Sequence, residues 1–181
     1  DVVFTPTLSI RQLGWYFAAH PELLDDTSLR AVFNSESLAR WDSPERRAEV
    51  VDADNFEDRK AAFRQLQGFL KTIHDAGIQV AIGTDAGTPN VPFGWGMHRE
   101  MAIYVEAGLT PMQAIVAATS TGAAQMPPLG EADFGTLVPG KVADLVVLDA
   151  DPLVDIRNTQ KINRVMRLGK WLDRSQLLRA E

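Results

Sequence analysis

The chain has 181 residues, 45% of them hydrophobic and 23% charged, which is the composition of a globular protein that buries a core of one domain or slightly more. Its formal net charge is −6 and it has no cluster of Lys or Arg, which argues against a nucleic-acid surface. The absence of cysteine excludes disulfides and thiolate metal sites, and no apolar run approaches the roughly 20 residues of a membrane span.

The N-terminal part of the chain contains one strand-like segment and one clear helix. Residues 2–8 have a β-rich composition, and Pro6 is expected to mark the end of that strand. Residues 9–55 are less regular, although Ser43-Pro44 is typical of a helix cap and first turn. Apolar residues recur at helical spacing over residues 54–76, and Gly77 supplies the C-terminal stop.

The rest of the chain alternates helix and strand, then changes character after residue 128. A strand is predicted over residues 78–83, and Thr110, Pro111 and Gln113 form a capping-box pattern at the start of a helix. The further predicted elements are a loop over 87–96, helices over 97–107 and 111–118, a helical turn over 121–126, a strand over 145–148 and a hairpin over 164–172.

Residues 80–87, which read VAIGTDAG, are the most informative stretch of the sequence. The apolar run ends at Gly83-Thr84 and then presents a single carboxylate, Asp85, followed by a small residue and a glycine. A buried parallel strand of a (β/α)8 barrel delivers its catalytic groups at its carboxyl end in this way. The alternative is that Asp85 only caps the loop that follows.

Several ordered motifs resemble the C-terminal half of the amidohydrolase superfamily, most closely its imidazolonepropionase-like and Xaa-Pro-dipeptidase-like branch. The motifs are GTDAG at 83–87, HRE at 98–100, EAGLTP at 106–111, AAT at 117–119 and GTLVPGKVADLVVL at 135–148. The resemblance implies an α/β fold: the C-terminal portion of a (β/α)8 TIM-like barrel plus part of a small β-sandwich. Residues 1–128 would supply the last two barrel strands and their helices, and residues 129–181 part of the sandwich.

The resemblance also implies a divalent metal, zinc, with one or two ions in a complete enzyme. The family holds its metals with a His-x-His pair, a bridging carboxylated Lys or Glu and two further histidines, and none of these has a counterpart here. The three histidines, His20, His74 and His98, do not occupy those positions. A full barrel takes about 250 residues, so the first six strands are expected to lie outside this chain.

Asp85 is the residue that the resemblance marks as both catalytic and metal-binding, because such an acid binds one metal and takes a proton from the attacking water. His98 is placed near bound substrate, with an ordinary helix-start or surface histidine as the alternative. Arg99 and Glu100 are interpreted as a solvated ion pair at a helix start. Thr5 and Thr7 are candidates for the barrel mouth, or simply residues of high β-propensity.

The function expected is that of the C-terminal part of a metal-dependent amidohydrolase that cleaves amide or cyclic amide C–N bonds. The alternative is a non-catalytic binding or complementation subunit of the same fold. Expected partners are a small amide or dipeptide-like substrate and either the missing N-terminal half of the same protein or another copy. Neither nucleic acid nor a membrane is expected as a partner.

Overall fold

The computed structural model describes residues 2–126 and 133–173 and shows a mixed α/β protein, which confirms the predicted α/β class. Within these residues the strands form a parallel pair and a separate antiparallel sheet of three. The strands in chain order are β1 (Val3–Phe4) and β2 (Gln79–Val80) in the parallel pair, then β3 (Leu145–Leu148), β4 (Ile162–Arg167) and β5 (Lys170–Trp171). The closed barrel and the sandwich stay predictions.

Helices make up most of the described chain. In chain order they are α1 (Leu8–Ala19), α2 (Thr27–Val32), α3 (Ser35–Asp42), α4 (Pro44–Val51), α5 (Phe56–Asp75), α6 (Trp95–Glu106), α7 (Pro111–Ala118) and α8 (Ser120–Ala123). Two 3₁₀ helices span Pro21–Asp25 and Ile156–Gln160. Over the described residues, no helix combines the length and the apolar character needed to cross a membrane.

The region 9–55 is mostly helical and therefore more regular than the sequence suggests, and the helix start predicted at Ser43-Pro44 is confirmed. Its α-helices after α1 are short, and each of the three begins at a polar capping side chain: Asp26 accepts from the Ser28 amide, Asn34 from Ser37 and Ser43 from Arg46. Helices of six to eight residues complete only about two turns, so they leave too short a hydrophobic period to recognise in the sequence.

The two parallel strands are shorter than the sequence predicts. β1 ends at Phe4 because α1 begins four residues later, and β2 covers two of the six residues expected over 78–83. Beyond β2 the Ala81 amide still donates to the Phe4 carbonyl (3.0 Å), but the Ile82 amide turns to the Ala117 carbonyl of α7 (3.1 Å). The segment after β2 is therefore held between a strand and a helix.

The helix boundaries predicted from local sequence signals agree with the structure. The helix predicted over 54–76 is α5, and Gly77 follows it with a φ of +83° that favours glycine. The capping box is present in full, since the Gln113 amide donates to Thr110 Oγ1 (3.2 Å) and the Thr110 amide donates to Gln113 Oε1 (2.7 Å).

One continuous hydrophobic core joins α1, α5 and α6 with the parallel strands. Trp15 packs edge-on against Phe56 and Phe63, and Trp95 lies beside Phe17. Both tryptophans are buried in this core, so their contacts are those of packing residues.

The C-terminal sheet contacts the core through the 3₁₀ helix Ile156–Gln160, whose Ile156 belongs to the core cluster. In the turn between β4 and β5 the Leu168 amide donates to Asp144 Oδ1 (2.5 Å), which ties that turn to the residue before β3. The predicted domain boundary, between residues 128 and 129, falls in 127–132 and so lies outside the described residues.

Candidate functional site

The carboxyl ends of β1 and β2 meet at one edge of the parallel pair. Val3 pairs with Gln79 and Phe4 with Val80, so the segments that follow both strands leave the sheet on the same side. Thr5 and Thr7 follow β1, and residues 83–85 follow β2. Catalytic groups of parallel α/β proteins lie at this edge.

Gly83 allows the two segments to touch. A Cβ atom added at this position would lie 2.6 Å from Cγ2 of Thr5 and 3.0 Å from Cγ2 of Thr7, closer than real side chains pack. The φ of Gly83 is not positive, so the glycine is required by the close approach and not by its backbone conformation.

Asp85 stands at the turn of this edge in the left-handed conformation, with a φ of +50°. Non-glycine residues seldom adopt such a φ, and Asp and Asn do so more readily than most. Two hydrogen bonds stabilise the turn: Thr84 Oγ1 accepts from the Ala86 amide (3.2 Å), and the Asp85 carbonyl accepts from the Thr88 amide (3.3 Å).

The side chain of Asp85 is exposed and, among the described residues, its carboxylate makes no hydrogen bond or ion pair. Loop capping is done by Thr84 and by the backbone of Asp85, so the carboxylate itself is not needed for the turn. The arrangement presents an accessible anionic oxygen pair at the carboxyl edge, which is chemically suited to accept a proton or to bind a cation.

The described residues do not form a metal centre by themselves. No group of three or more His, Cys, Asp or Glu side chains lies close enough together within residues 2–126 and 133–173 to hold an ion. A catalytic zinc site takes three protein ligands beside its water, and at this edge the described residues offer the single carboxylate of Asp85.

His98 lies on α6 and faces the C-terminal 3₁₀ helix. Its Nδ1 is 3.0 Å from Thr159 Oγ1, whose own hydroxyl donates to the Ile156 carbonyl (2.8 Å). Since that hydroxyl hydrogen is already used, Nδ1 of His98 must be the donor and Nε2 the free acceptor of the neutral ring. Burial lowers the pKa of His98 and favours this neutral form. Among the described contacts, none joins His98 to Asp85; its placement near substrate stays a prediction.

The other two histidines lie away from this edge. His20 is 3.2 Å from the Glu22 carboxylate at the surface, and its ring rests against Tyr16. His74 is in the last turn of α5 and lines an open groove at the opposite, amino-terminal end of β2.

Arg99 and Glu100 are buried, which corrects the interpretation of a solvated ion pair. Arg99 forms a bidentate pair with Glu106 (2.7 and 2.9 Å) and donates from Nε to Gln12 Oε1 (2.7 Å). Its guanidinium lies over the ring of Tyr16. The arginine therefore ties α6 to α1 inside the core instead of pairing with its neighbour Glu100.

Glu100 has no exposed surface and joins α6 to the first turn of α1. Its Oε1 accepts from the Leu8 amide (2.7 Å) and its Oε2 from the Ser9 amide (2.5 Å). Burial raises the pKa of Glu100, and these hydrogen bonds together with nearby Arg99 oppose that rise. Helical spacing could have indicated this burial, because Glu100 shares a face of α6 with the fully buried Ile103 and Tyr104.

The parallel strands, their covering helices and the acid at the carboxyl edge define an α/β protein with its candidate site where such enzymes place catalytic groups. The model of the amidohydrolase family matches residues 6–172. The chain belongs to the amidohydrolase family.

The curated relatives that the chain matches include several imidazolonepropionases. That of Cutibacterium acnes is 37% identical over 106 residues, covering 56% of this chain and 26% of the relative. That of Nocardia farcinica is 30% identical over 162 residues, covering 87% of this chain and 37% of the relative. The chain thus spans between about a quarter and somewhat over a third of the length of these two proteins.

Solved structures of related enzymes share the fold. A Xaa-Pro dipeptidase with bound methionine is 26% identical with a TM-score of 0.56, covering 70% of this chain and 31% of that one. The alignment with a bottromycin amidohydrolase covers 97% of this chain and 38% of that protein, with a TM-score of 0.63 and 22% identity. At this identity the similarity shows only that the two proteins share a fold.

Proposed function

We propose that this chain is the C-terminal part of a metal-dependent amidohydrolase that hydrolyses a cyclic amide C–N bond, with Asp85 as its proton acceptor. The observation that carries the proposal is the exposed carboxylate of Asp85, which pairs with no described side chain, in a closed turn at the carboxyl edge of β1 and β2. The family match supports the hydrolase class, and the imidazolonepropionase relatives support a cyclic amide as substrate.

The chemistry assigned to Asp85 is proton transfer. Water attacks the amide carbonyl carbon and gives one proton to Asp85. The protonated carboxyl then passes that proton to the leaving nitrogen as the C–N bond breaks, which yields a carboxylic acid and an amine. The exposed position of Asp85 allows both transfers, because no described side chain competes for its oxygens.

We further propose that Asp85 contributes one ligand to a divalent ion, zinc, whose remaining ligands come from residues outside this chain. Such an ion supplies a water of lowered pKa. His98 is assigned to the substrate side of the site, and its free Nε2 is the atom that would meet a substrate donor.

The test uses the complete protein that contains this segment, assayed with imidazolone propionate and with Xaa-Pro dipeptides. Replacing Asp85 by Asn keeps the size of the side chain and removes the proton acceptor, so kcat should fall by about 10² to 10⁴. The matched control is Asp133→Asn, which changes an acidic residue in the C-terminal part of the chain. Near-normal turnover by Asp85→Asn would contradict the assignment.

A second candidate is a non-catalytic binding or complementation subunit. It is favoured by the lack of any metal-binding group of three side chains within the part of the chain that the structure describes. The two candidates differ in what precedes Asp1. An upstream reading frame that encodes a His-x-His motif supports the enzyme, and an initiation codon directly before Asp1 supports the subunit.

A further inference from the structure

The buried carboxylate of Glu100 connects the two strand ends that form the candidate site. It lies on α6, which follows β2, but both of its oxygens accept backbone amides of α1, which follows β1. These contacts join positions 91 and 92 residues apart in the sequence. Both oxygens act as acceptors, as in an ionised carboxylate, and the first turn of a helix is where such a charge is stabilised.

Glu100 takes the place of a local cap. The N-cap residue of α1, Thr7, has a φ of +47° and its side chain caps no amide; its hydroxyl donates to the Pro6 carbonyl (2.8 Å). The start of α1, and with it the segment of Thr5 and Thr7, is therefore held from α6 and not by its own sequence.

The same connection reaches the turn of Asp85. Ser9, whose amide is bound by Glu100, directs its hydroxyl at the Thr84 carbonyl (3.4 Å), the peptide group that directly precedes Asp85. Ser9 is fully buried, and its hydroxyl also interacts with the Glu100 carboxylate, so it lies between Glu100 and the Thr84 peptide. A shift of the first turn of α1 would thus move the Thr84 peptide or break its contact.

We propose that Glu100 is a positioning residue of this site: by holding the first amides of α1, it fixes the turn of Thr84 and Asp85 against the end of β1. This inference rests on the proposed function of Asp85. Glu100 does not touch the reacting atoms, and it acts through Leu8, Ser9 and Thr84.

The experiment compares Glu100→Gln with Glu106→Gln in the complete protein that contains this segment. Both changes remove one carboxylate of α6, but Glu106 pairs with Arg99 and contacts neither strand end. With imidazolone propionate as substrate, Glu100→Gln should lower kcat by about tenfold to a hundredfold, the cost of a misplaced reacting group, and change KM less than about threefold. Glu106→Gln should lower stability and leave kcat within about twofold of the wild type.

Amide hydrogen exchange gives a readout that needs no substrate. In Glu100→Gln the amides of Leu8 and Ser9 should exchange faster, because the carboxylate that accepts them is lost. The Ala86 amide should also exchange faster, because its acceptor, Thr84 Oγ1, belongs to the turn that Glu100 positions. If Glu100→Gln does not fold, Ser9→Ala replaces it: loss of its hydroxyl should speed exchange at Ala86 and lower kcat. An unchanged Ala86 exchange or an unchanged kcat in a folded variant overturns the inference. Full activity of Asp85→Asn overturns the proposed function instead, and exchange at Ala86 remains measurable in that case.

Discussion

The hydroxyl of Tyr104 donates a 2.8 Å hydrogen bond to the carbonyl of Ala81, four residues before Asp85. Tyr104 lies one helical turn beyond Glu100 on α6, and both side chains are fully buried. One face of α6 therefore holds the segment after β2 through Tyr104 and the start of α1 through Glu100. Burial and the nearby Glu100 carboxylate raise the pKa of Tyr104, so its hydroxyl keeps its proton at neutral pH and remains a donor.

Tyr104→Phe should destabilise the protein by about 1–3 kcal/mol, because the buried Ala81 carbonyl loses its donor while the ring remains in place. The matched control is Tyr16→Phe, since the Tyr16 hydroxyl makes no hydrogen bond within the described residues. We expect that control to change the free energy of unfolding by less than about 0.5 kcal/mol. Urea unfolding measures both, and equal effects of the two changes would contradict the role given to Tyr104.

Gly83→Ala should lower the free energy of unfolding of the protein by about 1–3 kcal/mol, because the new methyl group is packed too closely against Cγ2 of Thr5 and of Thr7. Thr5→Ser removes the nearer of these methyl groups. The double variant should therefore recover part of the loss, and Thr5→Ser alone should cost little because Thr5 is exposed. A strictly additive double-mutant cycle, measured by thermal unfolding, would show that the two residues do not meet.

Local sequence signals predicted the parts of the fold that depend on local contacts. The Thr110 capping box and the helix stop at Gly77 were correct because their hydrogen bonds and backbone angles involve near neighbours. Helical spacing alone could have indicated the burial of Glu100, but its partners, Leu8 and Ser9, could not be predicted because they lie more than 90 residues away. Asp85 was placed at the end of its strand, but its left-handed φ depends on Thr84 and Thr88 around it, and that geometry needed the structure.

In the window around and below pH ~6.5, the ordinary pKa of histidine, the burial of His98 should make the free energy of unfolding fall as the pH decreases. Its pKa in the folded protein is lowered from the ordinary value of about 6.5 by burial, so the unfolded chain binds more protons in this window. The stabilising contribution of the buried, neutral His98 to the free energy of unfolding is fully present above the pKa that histidine has in the unfolded chain. It is lost as the pH decreases toward the lower pKa of His98 in the folded protein. His98→Gln should reduce the pH dependence of the free energy of unfolding, which urea unfolding at a series of pH values measures.

The isolated chain should not bind zinc tightly and should show no hydrolase activity, because a catalytic zinc requires three protein ligands and the described residues contain no such group. Isothermal titration with zinc, together with assays on imidazolone propionate and Xaa-Pro dipeptides, measures both properties. Tight binding of one zinc per chain that is lost in Asp85→Asn, accompanied by turnover, would show that the site is complete within these 181 residues.

The isolated chain should associate through the amino-terminal end of β2. Within the described residues β2 pairs with β1 and no other strand, and the groove beside it, of about 280 Å³, is lined by the exposed apolar side chains of Ile78, Met112 and Val116. An unpaired strand edge beside an apolar patch favours contact with another chain.

Light scattering after size exclusion should show dimers or larger species, and Ile78→Lys with Val116→Lys should reduce them. Val154→Lys, at an exposed position in the C-terminal part, should not. A wild-type monomer that unfolds cooperatively at all concentrations would rule out this use of the groove.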